Sequence, residues 1–555
     1  MKKGIIITLL ILIIIGSSAY FLNKSRENED VISISDDIYL VIGDKLFIED
    51  NPVILEEDNI YISFDILKEN IDSNLFYDIE EEMVIFTDKE RVSRFKVEEK
   101  KGTTNHKEFF INYPIKRIED KIYIPDEILN LLYDLDMDYF EDTNAVIMDK
   151  PNSKYVQGEV IMEGGDIRVN FDKKSPMVLK DLPVGTVVAV FEEYENWYKV
   201  STIDGIIGYM EKKYLKINLA RDIYKVEDEP VEKEIKNKDR ISLTWDYTHG
   251  KMVSAEGIEP IYGINVVSPT WFSITDEKGN IFDKGNYEYV SKYKSLGYEI
   301  WPLLDNSFDP DITYELLASS KSREKLIEKI FNIYKDYNVD GLNLDFENVY
   351  LKDKDLLTQF VRELYPVFKE RGMIVSMDIS PISTSENWSL SFDRRRLSET
   401  IDYLILMAYD QHWATSPVAG SVAQYTWVEK GIQGVLEEVP NEKLVLAVPF
   451  YTRLWKLEEI DGEAKISSQA LSMEIANQFI EENQIELEWD EESGQYFGET
   501  TKEGIVYKIW LEDANSIELK SSLVNKYNLA GIASWRKGFE TEEIWPVISN
   551  MIKLN

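Results

Sequence analysis

Asp345 and Glu347 stand two residues apart in the segment Asp340-Gly341-Leu342-Asn343-Leu344-Asp345-Phe346-Glu347. Side chains of an extended chain alternate between its faces, so Asn343, Asp345 and Glu347 share one side and Leu342, Leu344 and Phe346 the other. Carboxyl groups on a strand enclosed on both faces are costly to desolvate unless they are paired or used. The use that fits is general acid–base catalysis: burial and a neighbouring negative charge hold a carboxyl protonated near neutral pH. A helix-like stretch from Leu326 to Val339 precedes the segment, and apolar strands and helices alternate on both sides of it. The expected setting is a parallel α/β fold covered all round.

From Arg240 onward the rhythm is that of a (β/α)8 barrel. Candidate strands are Arg240 to Trp245, Gly263 to Ser268, Tyr298 to Leu304, Gly341 to Glu347, Ile374 to Ile379, Tyr403 to Ala408, Leu444 to Pro449 and Gly531 to Trp535, with helices such as Arg323 to Tyr337 and Asp355 to Arg371 between them. The region is longer than the roughly 250 residues typical of the architecture, which leaves room for an α+β insertion at about 456–515. In such barrels chemistry gathers at the carboxyl ends of the strands. Glu347 ends the fourth, Tyr409 and Asp410 the sixth, Trp535 the eighth, and Tyr451 and Arg453 follow the seventh.

These residues resemble glycoside hydrolase family 18, the chitinase-like enzymes, whose signature is D-G-x-D-x-D-x-E at the end of the fourth strand. Asn343 stands where chitinases carry the middle Asp, a variant similar to the branch of spore-cortex and cell-wall N-acetylglucosaminidases. Met407-Ala408-Tyr409-Asp410 resembles the family's sixth-strand M-x-Y-D. Pro449-Phe450-Tyr451-Thr452-Arg453 resembles P-x-Y-G-R, with Thr452 for Gly. The third strand departs: Trp301-Pro302-Leu303-Leu304-Asp305 replaces S-x-G-G. The resemblance implies a retaining mechanism in which the sugar's 2-acetamido oxygen attacks its own anomeric carbon. Glu347 would be the acid and then the base, Asp345 would orient the acetamido N–H, and Tyr409 would hydrogen-bond the acetamido oxygen. Asp340, Asn343, Asp410, Tyr451 and Arg453 are expected to bind substrate, with Trp535 as a floor under the ring. Asn343 for Asp is expected to lessen charge crowding, leaving Asp345 firmly ionised and held by the Asn343 amide.

The implied activity is cleavage of β-1,4 bonds after N-acetylglucosamine, in peptidoglycan of cell wall or spore cortex. The alternatives are a chitinase or chitooligosaccharide hydrolase, and a non-catalytic glycan-binding protein, which the intact Glu347, Asp345 and Tyr409 oppose. No cofactor or metal is called for. The chain has no cysteine and only His106, His249 and His412, so thiolate chemistry is excluded and an imidazole cluster is hard to assemble. A formal charge of −40 repels nucleic-acid phosphate.

At 555 residues the chain is too long for one core. Lys2 and Lys3 precede the uncharged run Gly4 to Leu22, whose length suits a membrane span of about 20 residues with the catalytic part outside. Cleavage after Ala19 as a signal peptide is the competing reading; either way the protein is exported. In 35–152 a duplication is visible: Pro52, Asp58, Ile60, Tyr61, Ile62, Leu67, Tyr77 and Ile85 recur as Pro114, Asp120, Ile122, Tyr123, Ile124, Leu129, Tyr139 and Ile147. Each copy reads as a hairpin, a short helix and a further strand pair. It resembles the repeats beside the N-terminal domain of copper amine oxidases, with a spacer or envelope-binding role and no copper promised. The unit 155–217 is all-β by pattern and resembles a bacterial Src-homology-3-type module, a partner for cell-wall polymer. Its Trp197, Tyr198 and Tyr209 either stack on a ligand or fill a small core. A charged linker, 218–239, leads to the barrel.

Overall fold

Eight short apolar runs in the C-terminal region close into a parallel barrel. The computed structural model describes residues 27–56, 59–149, 155–218, 240–248, 255, 257–460 and 463–552. The predicted membrane span Gly4 to Leu22, most of the 218–239 linker and His249 lie outside them. Among the described residues no helix is long and apolar enough to cross a membrane. The chain divides into two compact units: Met1–Leu75 with Phe95–Gly102 and Glu108–Lys236, and Phe76–Arg94 with Thr103–Lys107 and Asn237–Asn555.

In the second unit the barrel strands are β1 (Ile241–Asp246), β2 (Val266–Ile274), β3 (Leu303–Asp305), β4 (Gly341–Asp345), β5 (Ile374–Ile379), β6 (Tyr403–Met407), β7 (Leu444–Pro449) and β8 (Gly531–Trp535). Neighbours pair in parallel around the ring, and β8 meets β1 through Ile241↔Gly531 and its successors. Closure needs glycine at 531: a Cβ there would sit 2.0 Å from the Ile241 carbonyl oxygen. The strand alternation divides the interior in two. Leu342, Leu344 and Phe346 face the helices in the large outer core, while Trp245, Trp301, Leu303, Tyr403 and Ile405 fill the barrel itself. Helices α1 (Ser320–Tyr337) and α2 (Lys354–Lys369) flank β4 in sequence. The Ser319 side chain caps the first, accepting from the Ser322 N–H, and Asn338 ends it in the left-handed conformation.

Between β7 and β8 lies the expected insertion, a five-stranded antiparallel sheet that includes Leu487–Asp490, Gln495–Lys502 and Ile505–Trp510. Its longest pair, the ten-residue strands Tyr451–Ile460 and Glu463–Ser472, was not foreseen, because charged and polar residues dilute its apolar pattern.

In the first unit a hairpin followed by a short helix occurs twice. The hairpin Val53–Glu56/Asn59–Ser63 leads into helix Phe64–Asn70, and Lys116–Ile118/Lys121–Pro125 leads into helix Asp126–Tyr133. The two hairpins join edge to edge, with Ile124 opposite Ile62. The 155–217 region forms a seven-stranded sheet around Val160, Ile167, Val188, Val200 and Met210. Trp197 is buried, whereas Tyr209 packs in a ring cluster with Phe171 and Tyr194.

The strands that follow the first copy's helix, Phe76–Asp78 and Met83–Thr87, belong with the barrel. Ile85 and Val92 enter the barrel's outer core. Asp78 Oδ2 accepts the Ser320 N–H at 2.6 Å, and Arg362 Nη2 donates to the Thr87 carbonyl at 2.9 Å. Glu363 on α2, fully buried, receives Arg323 Nε at 2.9 Å and Arg94 Nη2 at 2.8 Å, and the two cations hold its carboxyl below the usual range against the cost of burial. Removing one member of such a cluster strands the remaining charges. Glu363→Ala is expected to destabilise the barrel by about 3–5 kcal/mol, whereas Arg396→Ala, which removes an exposed pair with Asp355, is expected to cost about 1 kcal/mol or less. Urea unfolding of the full chain followed by tryptophan fluorescence measures both.

Candidate active site

At the carboxyl ends of the strands the buried polar groups converge. Asn343, on β4, is fully enclosed, and every hydrogen-bonding side of its amide is used. Its Oδ1 accepts Trp245 Nε1 from β1 at 2.8 Å and Ser268 Oγ from β2 at 3.3 Å. Its Nδ2 donates to Asp378 Oδ1 and Ser376 Oγ of β5 at 2.8 and 3.3 Å. The expectation that this amide holds Asp345 is therefore corrected: side chains two apart on a strand lie one above the other, and the amide reaches sideways to β5 instead. Asn343 supports the site from beneath, with no exposed surface to offer a substrate.

Asp345 is 8 % exposed, and its Oδ1 is buried without a hydrogen-bond partner. Burial, then the charges of Glu347, Asp378 and Asp305, push its carboxyl well above the ordinary range. This rise runs against the expectation of a firmly ionised Asp345, and its first cause is desolvation. Glu347, half-buried just past the strand, is pushed up to about 7, by burial first and then by Asp410 and Asp305. Asp378 is raised by burial, opposed by its bond from Asn343 and reinforced by Glu347.

Around this carboxyl group stand aromatic side chains. Tyr409 follows β6 and packs edge-on to Tyr451, ring centroids 6.4 Å apart, and burial pushes its hydroxyl well up. Asp410 takes a left-handed backbone, φ 56°, a conformation Asp tolerates better than most residues. Its Oδ1 accepts the Tyr451 hydroxyl at 2.6 Å and Arg453 Nη2 at 3.4 Å, so three of the predicted site residues form one cluster. Trp535, half-buried at the end of β8, leans on Trp245 at 5.7 Å and on Tyr247 at 6.2 Å.

Asp340 does not join them. It precedes β4, accepting the Ile300 N–H at 3.0 Å and pairing with Lys294 at 2.9 Å. At about 3.3 Å per residue it lies roughly 16 Å from Asp345, at the opposite end of the barrel, so its predicted contact with substrate is withdrawn. Two groups not predicted for the site are Asp378, raised and coupled to it through Asn343, and Asp305, which lies opposite Asp345 in the β3–β4 register. Acidic residues at the ends of apolar strands were the available signal for both.

Residues 239–539 match Glycosyl hydrolases family 18, residues 40–148 match the Copper amine oxidase N-terminal domain, and residues 174–216 match the Bacterial SH3 domain. Copper has no fitting donor set: His106 is the one imidazole of its region, and among the described residues no three His, Cys, Asp or Glu side chains converge to hold a metal. A Bacillus subtilis protein provisionally described as a sporulation-specific glycosylase is 27% identical over 42% of this chain and 55% of its own length. The cortical fragment-lytic enzyme of Bacillus subtilis is 25% identical over 48% of this chain and 62% of its own. The matches thus span less than two thirds of each of these relatives. A spore cortex-lytic enzyme of Bacillus cereus, 17% identical with a TM-score of 0.50 over 67% of this chain and 89% of its own, shares the fold.

The raised carboxyls carry a stability consequence. A group whose folded pKa lies above its unfolded value contributes stability that is complete below the unfolded value, about 3.9 for Asp, and is lost as pH climbs through the folded one. Asp378→Asn keeps the acceptor for Asn343 and removes that loss. Its melting temperature is expected to exceed that of the parent chain at pH 7 and to equal it near pH 3.5, as thermal unfolding across pH would measure.

Proposed function

The chain belongs to glycosyl hydrolase family 18, and on that footing we propose that it is a glycosidase that cleaves β-1,4 bonds after N-acetylglucosamine in peptidoglycan by a retaining, substrate-assisted route. The observation that carries this reading is the pairing of an acid raised to about 7, Glu347, with a buried, unpartnered acceptor, Asp345 Oδ1. A direct nucleophile should be a carboxylate facing the anomeric carbon across from the acid. Asp345 shares the acid's strand face, so it is badly placed to attack the anomeric carbon, and its partnerless Oδ1 is open to accept an amide N–H.

In the proposed first step the 2-acetamido oxygen bonds to the anomeric carbon as the glycosidic C–O bond breaks, and the leaving oxygen takes the Glu347 proton. Asp345 accepts the acetamido N–H, and the Tyr409 hydroxyl donates to the acetamido oxygen. In the second step the Glu347 carboxylate takes a proton from water, whose oxygen attacks the anomeric carbon and reopens the oxazolinium ring. Two inversions leave the configuration retained. Asp410, fixed by Tyr451 and Arg453, helps to position the acetamido group, and Trp535 lies beneath the sugar ring.

Peptidoglycan is favoured as substrate by the descriptions of the relatives, one as cortical fragment-lytic, and by the adjoining bacterial SH3 match, a module suited to holding wall polymer. The uncharged run Gly4 to Leu22 behind two lysines supports an exported protein, anchored in the cell membrane or released to the wall if that run is cleaved. Chitin oligosaccharides contain the same acetamido sugar and are the competing substrate.

Glu347→Gln is expected to lower kcat on purified peptidoglycan by about a hundredfold to ten-thousandfold. Mass spectrometry of the products should find new reducing-end N-acetylglucosamine; reducing-end N-acetylmuramic acid, or equal turnover of de-N-acetylated glycan, would overturn the proposal.

A further inference from the structure

The third strand, where the chain departs from the family's S-x-G-G, ends in Asp305-Asn306. Asn306 is 1 % exposed, and its amide grips the main chain of Glu347 on both sides. Nδ2 donates to the Glu347 carbonyl at 2.8 Å, and Oδ1 accepts the Glu347 N–H at 3.1 Å. The regular β4 ladder has ended at Asp345, so this side chain continues, for one peptide, the pairing that a strand neighbour would have supplied. Thr313 Oγ1, accepting from Nδ2 at 2.9 Å, fixes the amide in turn.

Asp305 is held as firmly. Its Oδ2 accepts Ser273 Oγ at 2.7 Å, and its Oδ1 accepts the Ser307 N–H at 2.8 Å. Ser307 and Phe308 are both left-handed, φ 53° and 54°, a tight turn that folds the Ser307 amide back onto the carboxyl. Ser273, Asp305 and Asp345 face one another in register across β2, β3 and β4, which sets Asp305 in the barrel mouth beside the acid's strand.

We propose that Asp305 and Asn306 are positioning residues for the acid of this site: Asn306 fixes the main chain of Glu347, and Asp305 adds a fixed negative charge that opposes loss of its proton. This rests on Glu347 being the acid. Among the described residues, the titratable groups that face Glu347 are Asp305 from β3, Asp345 from β4, Asp378 from β5, and Tyr409 and Asp410 beyond β6, none of them a cation. Burial pushes the Asp305 carboxyl up, and the bonds from Ser273 and Ser307 and the charge of Lys284, after β2, act to keep it ionised. Asp305 is one of the two charges that raise Glu347 after burial has acted.

The test uses the full chain and an N-acetylated glycan substrate. Asp305→Asn, which keeps an acceptor for the Ser307 N–H and lets the Ser273 hydroxyl accept in turn, is expected to move the basic limb of the kcat/KM profile to lower pH by about half to one unit, and Asp305→Glu to restore it. Asn306→Ala is expected to lower kcat about tenfold or more with KM within about twofold and the basic limb unmoved, as loss of orientation rather than of charge dictates. Asn306→Ser is the second variant if alanine does not fold. The Glu347 carboxyl is also titrated directly, from the infrared difference between each chain and its Glu347→Gln counterpart. An unmoved titration in Asp305→Asn overturns the charge role, and full kcat in both Asn306 variants overturns the clamp. A parent chain inactive on every N-acetylated glycan, with the infrared shift present, would instead sink the catalytic reading alone.

Discussion

One uncharged side chain at the centre of the barrel governs how much charge its mouth can carry. Asn343 binds β1, β2 and β5 to β4 through a single amide that has no unmet donor or acceptor. A carboxylate there would meet Asp378 carboxyl to carboxyl, and two such groups in a low-dielectric interior cannot both ionise. The amide turns that repulsion into a hydrogen bond and still draws the indole of Trp245 into place. Trp245 in turn supports Trp535, so the apolar floor and the polar wall of the site share one anchor.

Above this anchor the carboxyl groups are graded by burial. Asp378 and Asp345 are enclosed, Glu347 is half-buried, and Asp410 is exposed. Desolvation is the first cause of the rise in Asp378, Asp345 and Glu347 alike. Glu347, the least enclosed of those three, is the one pushed up to about 7, where a group that both gives and takes a proton is most effective. The grading comes from the pitch of the strands: each step of two residues lifts a side chain one level towards solvent.

The parts of this arrangement visible in the sequence were the local ones. Strand alternation and the apolar runs located β5, β7 and β8 to the residue, because buried parallel strands read as near-continuous aliphatic segments. The spacing of Asp345, Glu347, Tyr409 and Trp535 likewise survived into the structure as neighbours at one end of the barrel. What misled was proximity in sequence taken for proximity to the site. Asp340 sits in the same eight-residue signature, yet an extended chain carries it to the far rim. The partner of Asn343 lies on another strand, Asp378, and no periodicity within β4 points to it. Asp305 and Asn306 were passed over because the β3 segment broke the expected pattern, and a broken pattern gives no hint of what replaces it.

The strands Phe76–Asp78 and Met83–Thr87 stand in the middle of a repeat and yet complete the barrel's outer wall. Modular proteins are usually dissected at their linkers, on the assumption that each homology segment folds from its own residues. Here that scissor line would misjudge the fold. A fragment starting near residue 240 would carry Glu363 and Arg323 without Arg94, and an uncovered apolar strip where Ile85 and Val92 had been. Recombination between relatives faces the same obstacle, so a graft of this barrel onto another module must bring part of its old neighbour with it.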